Sequence, residues 1–257
     1  MSSQPARQGT ALITGATAGI GHEFARQLAA EGRDLVLVAR TTERLNQVAA
    51  ALTEEYAVHV EVLSADLTDR AQLALVEQRL SDPSRPVDLL VNNAGFGLKH
   101  RFLVNDVEDE QQMLDILVTA VLRLSHAALK QMVVRGSGGV INVSSVAAFL
   151  PRGSYSAAKA WVNSFSRWAA NEYAPKGITV TAVCPGFVKT EFHERMQVKR
   201  GTGFLWLEPE RLVREALQDY DEGKVISIPT RRYRTIVRVS RLVPTGLAQR
   251  AQRIGRR

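Results

Sequence analysis

Short, continuous apolar runs alternate along this chain with longer segments in which apolar residues recur every three or four positions. Seven of the runs have the length and composition of buried strands: Thr10–Ile13, Leu35–Val38, Val58–Leu63, Val87–Val91, Val140–Val143, Ile178–Val183 and Val225–Ile228. The helical period predicts helices at Ile20–Ala30, Thr42–Tyr56, Gln72–Leu80, Val107–Val134, Ser154–Tyr173 and Pro209–Tyr220. Such alternation is typical of a mainly parallel sheet covered on both faces. The sequence therefore predicts a doubly wound α/β fold with seven strands flanked by helices.

No composition shift or Pro/Gly-rich linker divides the pattern, so we predict a single domain over residues 1–230. Residues 231–257 differ, because they hold nine arginines and no acidic residue in a chain of net charge +7. Tyr233–Val243 predicts a basic, amphipathic C-terminal helix, and Leu247–Ile254 a second short one. The first helix suits an anionic membrane surface, or equally packing on its own domain or a partner subunit. Nucleic acid is not expected, because the positive charge is confined to this segment.

The remaining composition limits the class of protein. An apolar fraction of 45% is ordinary for a chain with a real core. Cys184 is the single cysteine, which excludes an intrachain disulfide and favours a reducing, cytoplasmic compartment. We see neither a signal sequence nor a run of 18 apolar residues, so no membrane-spanning helix is expected. The five histidines lack the spacing of a metal site, so no metal is expected.

A glycine-rich segment, Thr14–Gly21, lies between the first predicted strand and the first predicted helix. Gly15, Gly19 and Gly21 let the backbone approach a pyrophosphate, and the helix N-terminus offers free N–H groups and a positive dipole end. The spacing G-x-x-x-G-x-G differs from the commoner G-x-G-x-x-G. The segment therefore predicts a dinucleotide site, with a simple tight turn as the alternative.

Two polar residues follow the next two strands. Arg40 stands where an acidic side chain often holds the adenosine ribose, and an arginine there can accept a 2′-phosphate. This favours NADP over NAD, with a surface arginine as the alternative. Asp66 could contact the adenine amine or only cap a turn.

Tyr155 and Lys159 lie four residues apart, on one face of a predicted helix. A free tyrosine has a pKa of about 10 and exchanges protons poorly at neutral pH. A neighbouring cation favours the phenolate, so we expect Lys159 to lower the pKa of Tyr155. The spacing alone also fits a solvated helix face.

These features stand in a fixed order with three further motifs. With Thr14–Gly21, Asn92–Gly95, Ser144–Ser145, Tyr155–Lys159 and Pro185–Thr190, the chain resembles the short-chain dehydrogenase/reductase family over Thr10–Ile228. The resemblance implies a Rossmann-like fold and an NADP(H)-dependent oxidoreductase that interconverts a carbonyl and an alcohol on a small, hydrophobic substrate. It also implies a homodimer or homotetramer, formed through the two long helices around the fifth strand.

The resemblance further implies roles for individual residues. Ser145 would bind the substrate oxygen, Tyr155 would be the general acid/base, and Lys159 would bind the nicotinamide ribose. Asn92 would lie on the adenosine side. The cofactor-binding residues implied are Gly15, Thr17, Gly19, Ile20, Gly21, Arg40, Asp66, Asn92, Ala94, Gly95, Tyr155, Lys159, Pro185, Gly186, Val188 and Thr190. The residues after Thr190, up to Leu207, would form a substrate lid.

The chain departs from the family pattern at two places. Leu117 stands where the family usually has an asparagine whose polar atoms hold a water linked to the lysine. Leucine cannot hold that water, and the alternative is that it only extends an apolar stripe. Ser145 precedes Tyr155 by an unusually short loop, so Ser144 and Ser154 remain weaker alternatives. Leu117 also motivates a rival function, a non-catalytic NADP(H)-binding sensor or scaffold.

Overall fold

The computed structural model describes residues 9–150, 152–189 and 206–242. All seven predicted strands form within these ranges: β1 (Thr10–Thr14), β2 (Asp34–Ala39), β3 (Val60–Ser64), β4 (Leu89–Asn92), β5 (Gly138–Val143), β6 (Ile178–Val183) and β7 (Ile226–Ser227). They form one sheet in the order β3-β2-β1-β4-β5-β6-β7, and every pairing is parallel. This confirms the predicted doubly wound, Rossmann-like fold.

The helices also follow the prediction closely. They are α1 (Gly19–Ala30), α2 (Thr42–Tyr56), α3 (Arg70–Ser81), α4 (Val107–Leu114), α5 (Ala120–Arg135), α6 (Ser154–Tyr173), α7 (Pro209–Asp221) and α8 (Arg231–Leu242). A π-helical turn, Asp115–Thr119, joins α4 to α5, so the long predicted helix is continuous but widened in its middle. Short 3₁₀ turns follow β5 and α6 at Val146–Phe149 and Ala174–Lys176.

Two apolar cores lie on opposite faces of the sheet. One contains Phe24 and Leu28 of α1, and the other contains Leu73 of α3 and Leu124 of α5. The central positions of strands β1, β2 and β4 are buried on both faces, which is why these positions are apolar without alternation.

The segment 107–135 is long and apolar enough to cross a membrane by length and composition alone. Half of its most apolar window is buried within the fold, where α5 packs on α3 and on the sheet. The core helix of a doubly wound protein meets the same criterion, so no membrane span follows from it.

The first turns of α8 pack on the rest of the chain. Tyr233 and Val237 are buried, whereas Arg231, Arg232 and Arg238 point outward. Of the two interpretations of the basic helix, its described part therefore supports packing on its own domain. The predicted second helix, Leu247–Ile254, lies outside the described residues.

Candidate active site

The carboxyl ends of β1, β2 and β4 bring the glycine segment and the Asn92–Gly95 segment together. The amide of Gly15 donates to the Val38 carbonyl at 2.8 Å, which folds the glycine segment over the end of β2. Gly15 and Gly19 have φ of +67° and +56°, a region that strongly favours glycine. A Cβ on Gly21 would lie 2.3 Å from the Gly15 carbonyl oxygen, so the turn requires glycine there.

The start of α1 suits an anion. Its N-cap residue, Ala18, makes no side-chain capping bond, and the first turn has no acidic residue. The first N–H groups of the helix are thus presented at the sheet edge without a side-chain cap. The predicted cofactor residues that follow β1 and β4 at this edge are Gly15, Thr17, Gly19, Ile20, Gly21, Ala94 and Gly95.

Thr14 and Asn93 join the two segments, and our sequence reasoning gave neither a role. The Thr14 hydroxyl accepts from the amides of Asn93 and Ala94 at 2.9 and 3.0 Å. The Asn93 side chain donates to the carbonyls of Thr14 and Gly15 at 2.9 and 3.3 Å. Both residues fall within motifs that the sequence shows, Thr14–Gly21 and Asn92–Gly95. A motif does not indicate, however, which of its side chains bind the protein itself and which bind a ligand.

The structure places the three residues that were predicted to contact the adenosine half of the cofactor in different surroundings. Arg40 is exposed directly after β2, two residues beyond the carbonyl that binds Gly15, so it lies beside the glycine segment. Asp66 caps a turn, because its Oδ1 accepts from the amide and the hydroxyl of Thr68 at 2.9 and 2.8 Å. Asn92 is buried, and its amide nitrogen donates into the fold rather than toward the edge.

The partners of Asn92 form a buried polar chain across the sheet. Its Nδ2 donates to the hydroxyl of Ser125 at 3.1 Å and to Oδ1 of Asn142 at 2.9 Å. Asn142 in turn donates to the Ser166 hydroxyl at 2.9 Å. The side chain of Asn92 therefore links α5, β4, β5 and α6, which argues against the predicted adenosine contact.

Tyr155 and Ser145 meet where β5 ends and α6 begins. Ser145 follows β5 and caps the 3₁₀ turn, since its Oγ accepts from the Ala147 amide at 3.1 Å. Tyr155 stands in the first turn of α6, and its side chain is hydrogen-bonded to that of Ser145. Burial raises the pKa of Tyr155 from 10.0 to about 12, while the Ser145 hydrogen bond lowers it. The hydroxyl is thus protonated at neutral pH.

The prediction that Lys159 lowers the pKa of Tyr155 was wrong, because the pKa of Tyr155 is raised and Lys159 is not among the causes of the shift. The ammonium lies 5.9 Å from the centre of the Tyr155 ring and donates to the Val143 carbonyl at 2.7 Å. It therefore faces the end of β5 rather than the phenol oxygen, and burial dominates the pKa of Tyr155. Burial also lowers the pKa of Lys159 from 10.5 to about 8, because an ammonium loses its hydration there.

The two alternative serines have other partners. The Ser144 hydroxyl donates to the Lys159 carbonyl at 3.1 Å, and the Ser154 hydroxyl donates to Glu110 at 2.5 Å. Ser145 is therefore the serine that the fold places beside the phenol. The buried position of Glu110 was not predicted, because Glu108, Asp109 and Glu110 form an acidic run that is typical of a solvent-exposed first helical turn. It is only 5% exposed, and it also accepts from Asn105 at 2.7 Å.

Leu117 lies in the π-helical turn and is 1% exposed. It forms a small apolar cluster with Met113 and Ala158, against which Tyr155 packs. The position of the family asparagine is thus filled by hydrocarbon beside the phenol ring. The interpretation of Leu117 as part of an apolar stripe is confirmed.

The segment after β6 completes the edge. The Pro185 carbonyl accepts from the Val146 amide at 2.9 Å, so this segment is tied to the turn that Ser145 caps. Val188 is buried and pairs with Leu207 in an isolated parallel bridge. Gly186 lies between Pro185 and Val188 in the same segment. Thr190 and the predicted lid up to residue 205 lie outside the described residues.

Comparison with known proteins agrees with this arrangement. Residues 9–201 match the family model described as short chain dehydrogenase. A very-long-chain 3-oxoacyl-CoA reductase of Anas platyrhynchos is 36% identical over 188 residues, covering 70% of this chain and 60% of that protein. The chain thus spans less than two thirds of that relative.

Two solved structures are similar over nearly the whole chain. A short-chain dehydrogenase from Sphingobium yanoikuyae, in complex with NADPH, is 36% identical with a TM-score of 0.85, covering 97% of each chain. A bulky-bulky ketone specific alcohol dehydrogenase from Comamonas testosteroni is 32% identical with a TM-score of 0.81, covering 95% of each.

A parallel seven-stranded sheet with a glycine turn and a Ser–Tyr–Lys set at its carboxyl edge defines a Rossmann-like nucleotide-dependent enzyme. The match of residues 9–201 to the family model narrows this class of enzyme to one family. The chain belongs to the short-chain dehydrogenase/reductase family and is an oxidoreductase.

Proposed function

We propose that this enzyme uses NADP(H) to reduce a hydrophobic ketone or 3-oxoacyl-type carbonyl to an alcohol. The observation that carries the proposal is the protonated Tyr155 hydroxyl, hydrogen-bonded to Ser145 at the same carboxyl edge of the sheet as the glycine segment. NADP(H) is the cofactor, in keeping with the family and with the NADPH complex of the Sphingobium relative.

The residues at the sheet edge fit this cofactor. The uncapped N-terminus of α1 and the close turn at Gly15 and Gly21 would hold the pyrophosphate. Arg40 would pair with the 2′-phosphate, since an arginine forms charge-assisted hydrogen bonds to a phosphate monoester. Lys159 would hold the nicotinamide ribose. When bound, the cofactor supplies the hydride that the protein itself lacks.

Tyr155 would donate the proton to the substrate oxygen. A carbonyl that receives a hydride develops negative charge on oxygen, which needs a positioned donor. A tyrosine with a pKa of about 12 carries its proton at neutral pH but releases it poorly, so the transfer would depend on the negative charge that develops on the substrate oxygen. Ser145 would hold the same oxygen, and the ammonium of Lys159 would keep the site positive.

Several apolar side chains around Tyr155 support a hydrophobic substrate. Phe96 and Leu98 pack against the Met113–Leu117–Ala158 cluster. Phe187 and Trp206 form a second aromatic pair after β6, with ring centres 5.5 Å apart. Two relatives act on 3-oxoacyl-CoA and on bulky ketones by their names, and both carbonyls carry large apolar groups.

The test is NADPH oxidation with a panel of bulky ketones and 3-oxoacyl thioesters. Tyr155→Phe should retain NADPH binding and lose at least about 100-fold in kcat, because general acid catalysis contributes that much. Equal turnover by the variant would remove Tyr155 from the mechanism. The rival, a non-catalytic sensor, is favoured only by Leu117; it predicts tight NADPH binding and no turnover with any carbonyl.

We also propose a homo-oligomer formed through segment 107–135 and α6. Leu114, Leu122 and Trp168 are 37%, 45% and 52% exposed on these helices. Phe165 of α6 stacks on Trp161 with ring centres 5.1 Å apart and lies tilted against Trp168 at 5.7 Å. Burying such a surface in a subunit contact removes it from water. A monomeric mass by light scattering would refute the proposal.

A peripheral membrane contact would have to use charge rather than the apolar face of α8. Tyr233 and Val237 are buried, so the exposed arginines Arg231, Arg232 and Arg238 would face the anionic lipid. Sedimentation with phosphatidylserine vesicles, and not with phosphatidylcholine vesicles, is expected. Equal sedimentation with the two kinds of vesicle would refute the membrane contact. The predicted cytoplasmic location would then stand without any association with membranes.

A further inference from the structure

We propose that Tyr233, which lies outside every family motif, positions the segment Pro185–Val188 for the nicotinamide. The inference rests on the proposed function, because it assumes that this segment borders the cofactor ring. It gives the arginine-rich C-terminal helix a part in the active site.

The contact between Tyr233 and this segment is close. Tyr233 is 4% exposed, and its hydroxyl accepts from the Phe187 amide at 2.9 Å. Its ring lies flat against Gly186, where an added Cβ would fall 1.9 Å from the ring carbon that bears the hydroxyl. Residue 186 must therefore be glycine while the ring occupies this place, and the ring fixes the plane of the Gly186–Phe187 peptide.

Other peptide groups of the segment are held by different elements. The Pro185 carbonyl accepts from Val146 at 2.9 Å, next to Ser145. The Phe187 carbonyl accepts from Leu207 at 2.9 Å. Helix α8 contributes Tyr233 to this set, and the Tyr233 hydroxyl holds the Phe187 amide, which lies between the two carbonyls. Without its hydroxyl, the amide of Phe187 loses this acceptor and the peptide can rotate.

The attachment of α8 does not depend on that hydroxyl alone. Val237, one turn further along, is 4% exposed. Arg234 donates to the Ile228 carbonyl at 2.9 Å and lies 3.9 Å from Glu215. Removing only the Tyr233 oxygen should thus leave the helix in place and release the peptide. This separation distinguishes a positioning residue from a merely structural one.

The experiment compares full-length Tyr233→Phe with wild type and with a matched control, Val237→Ala. NADPH affinity is measured by fluorescence, and amide exchange by mass spectrometry on the peptide that contains Phe187. We expect Tyr233→Phe to bind NADPH about fivefold more weakly, the equivalent of one neutral hydrogen bond, and to exchange faster at Phe187. Val237→Ala should lower the melting temperature through its cavity but leave both quantities unchanged.

Unchanged exchange at Phe187 in Tyr233→Phe would overturn the inference, whatever the cofactor result. Faster exchange with wild-type NADPH affinity would also overturn it, because the segment would then move without affecting the nicotinamide. If wild type itself binds no NADPH, the proposed function fails, and faster exchange would still establish the hold of Tyr233 on the segment. A parallel loss of affinity in Val237→Ala would assign the effect to general loosening and reject a specific role.

Discussion

Lys159 gives the protein a stability that should depend on pH in an unusual direction. Burial lowers the pKa of this ammonium from 10.5 to about 8, and it is only 5% exposed. Above about pH 8 the folded protein releases a proton that the unfolded chain still binds. Because the unfolded state then holds more protons, the free energy of unfolding rises with pH in this window. Burial of the charged Lys159 side chain therefore lowers the free energy of unfolding at neutral pH, and this loss disappears once the amine is deprotonated at higher pH.

The size of the effect follows from the two pKa values. The interval between about 8 and 10.5 corresponds to about 3 kcal/mol over the whole range, at about 1.4 kcal/mol per pH unit. From pH 7 to pH 9 the folded amine titrates almost completely, whereas the unfolded amine hardly does. The expected gain over that step is about 1 kcal/mol. Burial raises the pKa of Cys184 from 9.0 to about 11, so its thiol opposes the gain at higher pH.

The assay is urea denaturation of the cofactor-free protein at pH 7 and pH 9, for wild type and for Lys159→Met. Methionine keeps the unbranched stem and removes the ammonium together with its bond to the Val143 carbonyl. The neutral amine at pH 9 can still donate to that carbonyl, and Cys184 titrates in both proteins. We expect wild type to gain about 1 kcal/mol more than the variant between the two pH values. Equal pH dependence of the two proteins would refute a buried, depressed ammonium.

Three further predictions concern residues of the site. Arg40→Ala should weaken NADPH binding at least tenfold and NADH binding little, as dissociation constants will show; equal losses would reject the 2′-phosphate role. Gly21→Ala should abolish binding of both cofactors, because its Cβ would meet the Gly15 carbonyl at 2.3 Å, and retained affinity would disprove that tightness. Glu110→Ala should destabilise the fold by about 2 kcal/mol by leaving the Ser154 hydroxyl without its acceptor, whereas Glu110→Gln should cost less than about 1 kcal/mol in the same denaturation assay.

The fold was largely predictable because most of its strands are mainly apolar and its helices show a clear period of apolar residues. The predicted bounds of α6 agree with the structure, and those of β7 shrink from four residues to Ile226–Ser227. A strand at the sheet edge makes few pairings, so its ends depend on tertiary contacts that a local pattern does not contain. The π-helical turn likewise has no marker in the apolar spacing.

The site was predictable only to the level of motifs. Ser145 and Tyr155 lie together as expected, because a strand end and a helix start fix them. The direction in which a polar side chain points was not predictable, and Asn92 and Lys159 both turn toward the protein. Tyr233 was hidden for a different reason, since its partner at Phe187 is 46 residues away and the intervening pattern says nothing about that pairing.

Leu117 shows how the chain accommodates its departure from the family. The helix keeps the widened turn at Asp115–Thr119 although no polar side chain at residue 117 occupies it. A Cβ on Gly95 would lie 2.6 Å from Cδ2 of Leu117, so the leucine fills the space that this glycine leaves in the cofactor segment. The two residues therefore fit as a pair, and an amide at 117 would be buried among Met113 and Ala158 at a desolvation cost. Hydrocarbon therefore lines the Leu117 side of the Tyr155 ring, and Lys159 and Ser145 are the polar groups that the fold places near this side chain.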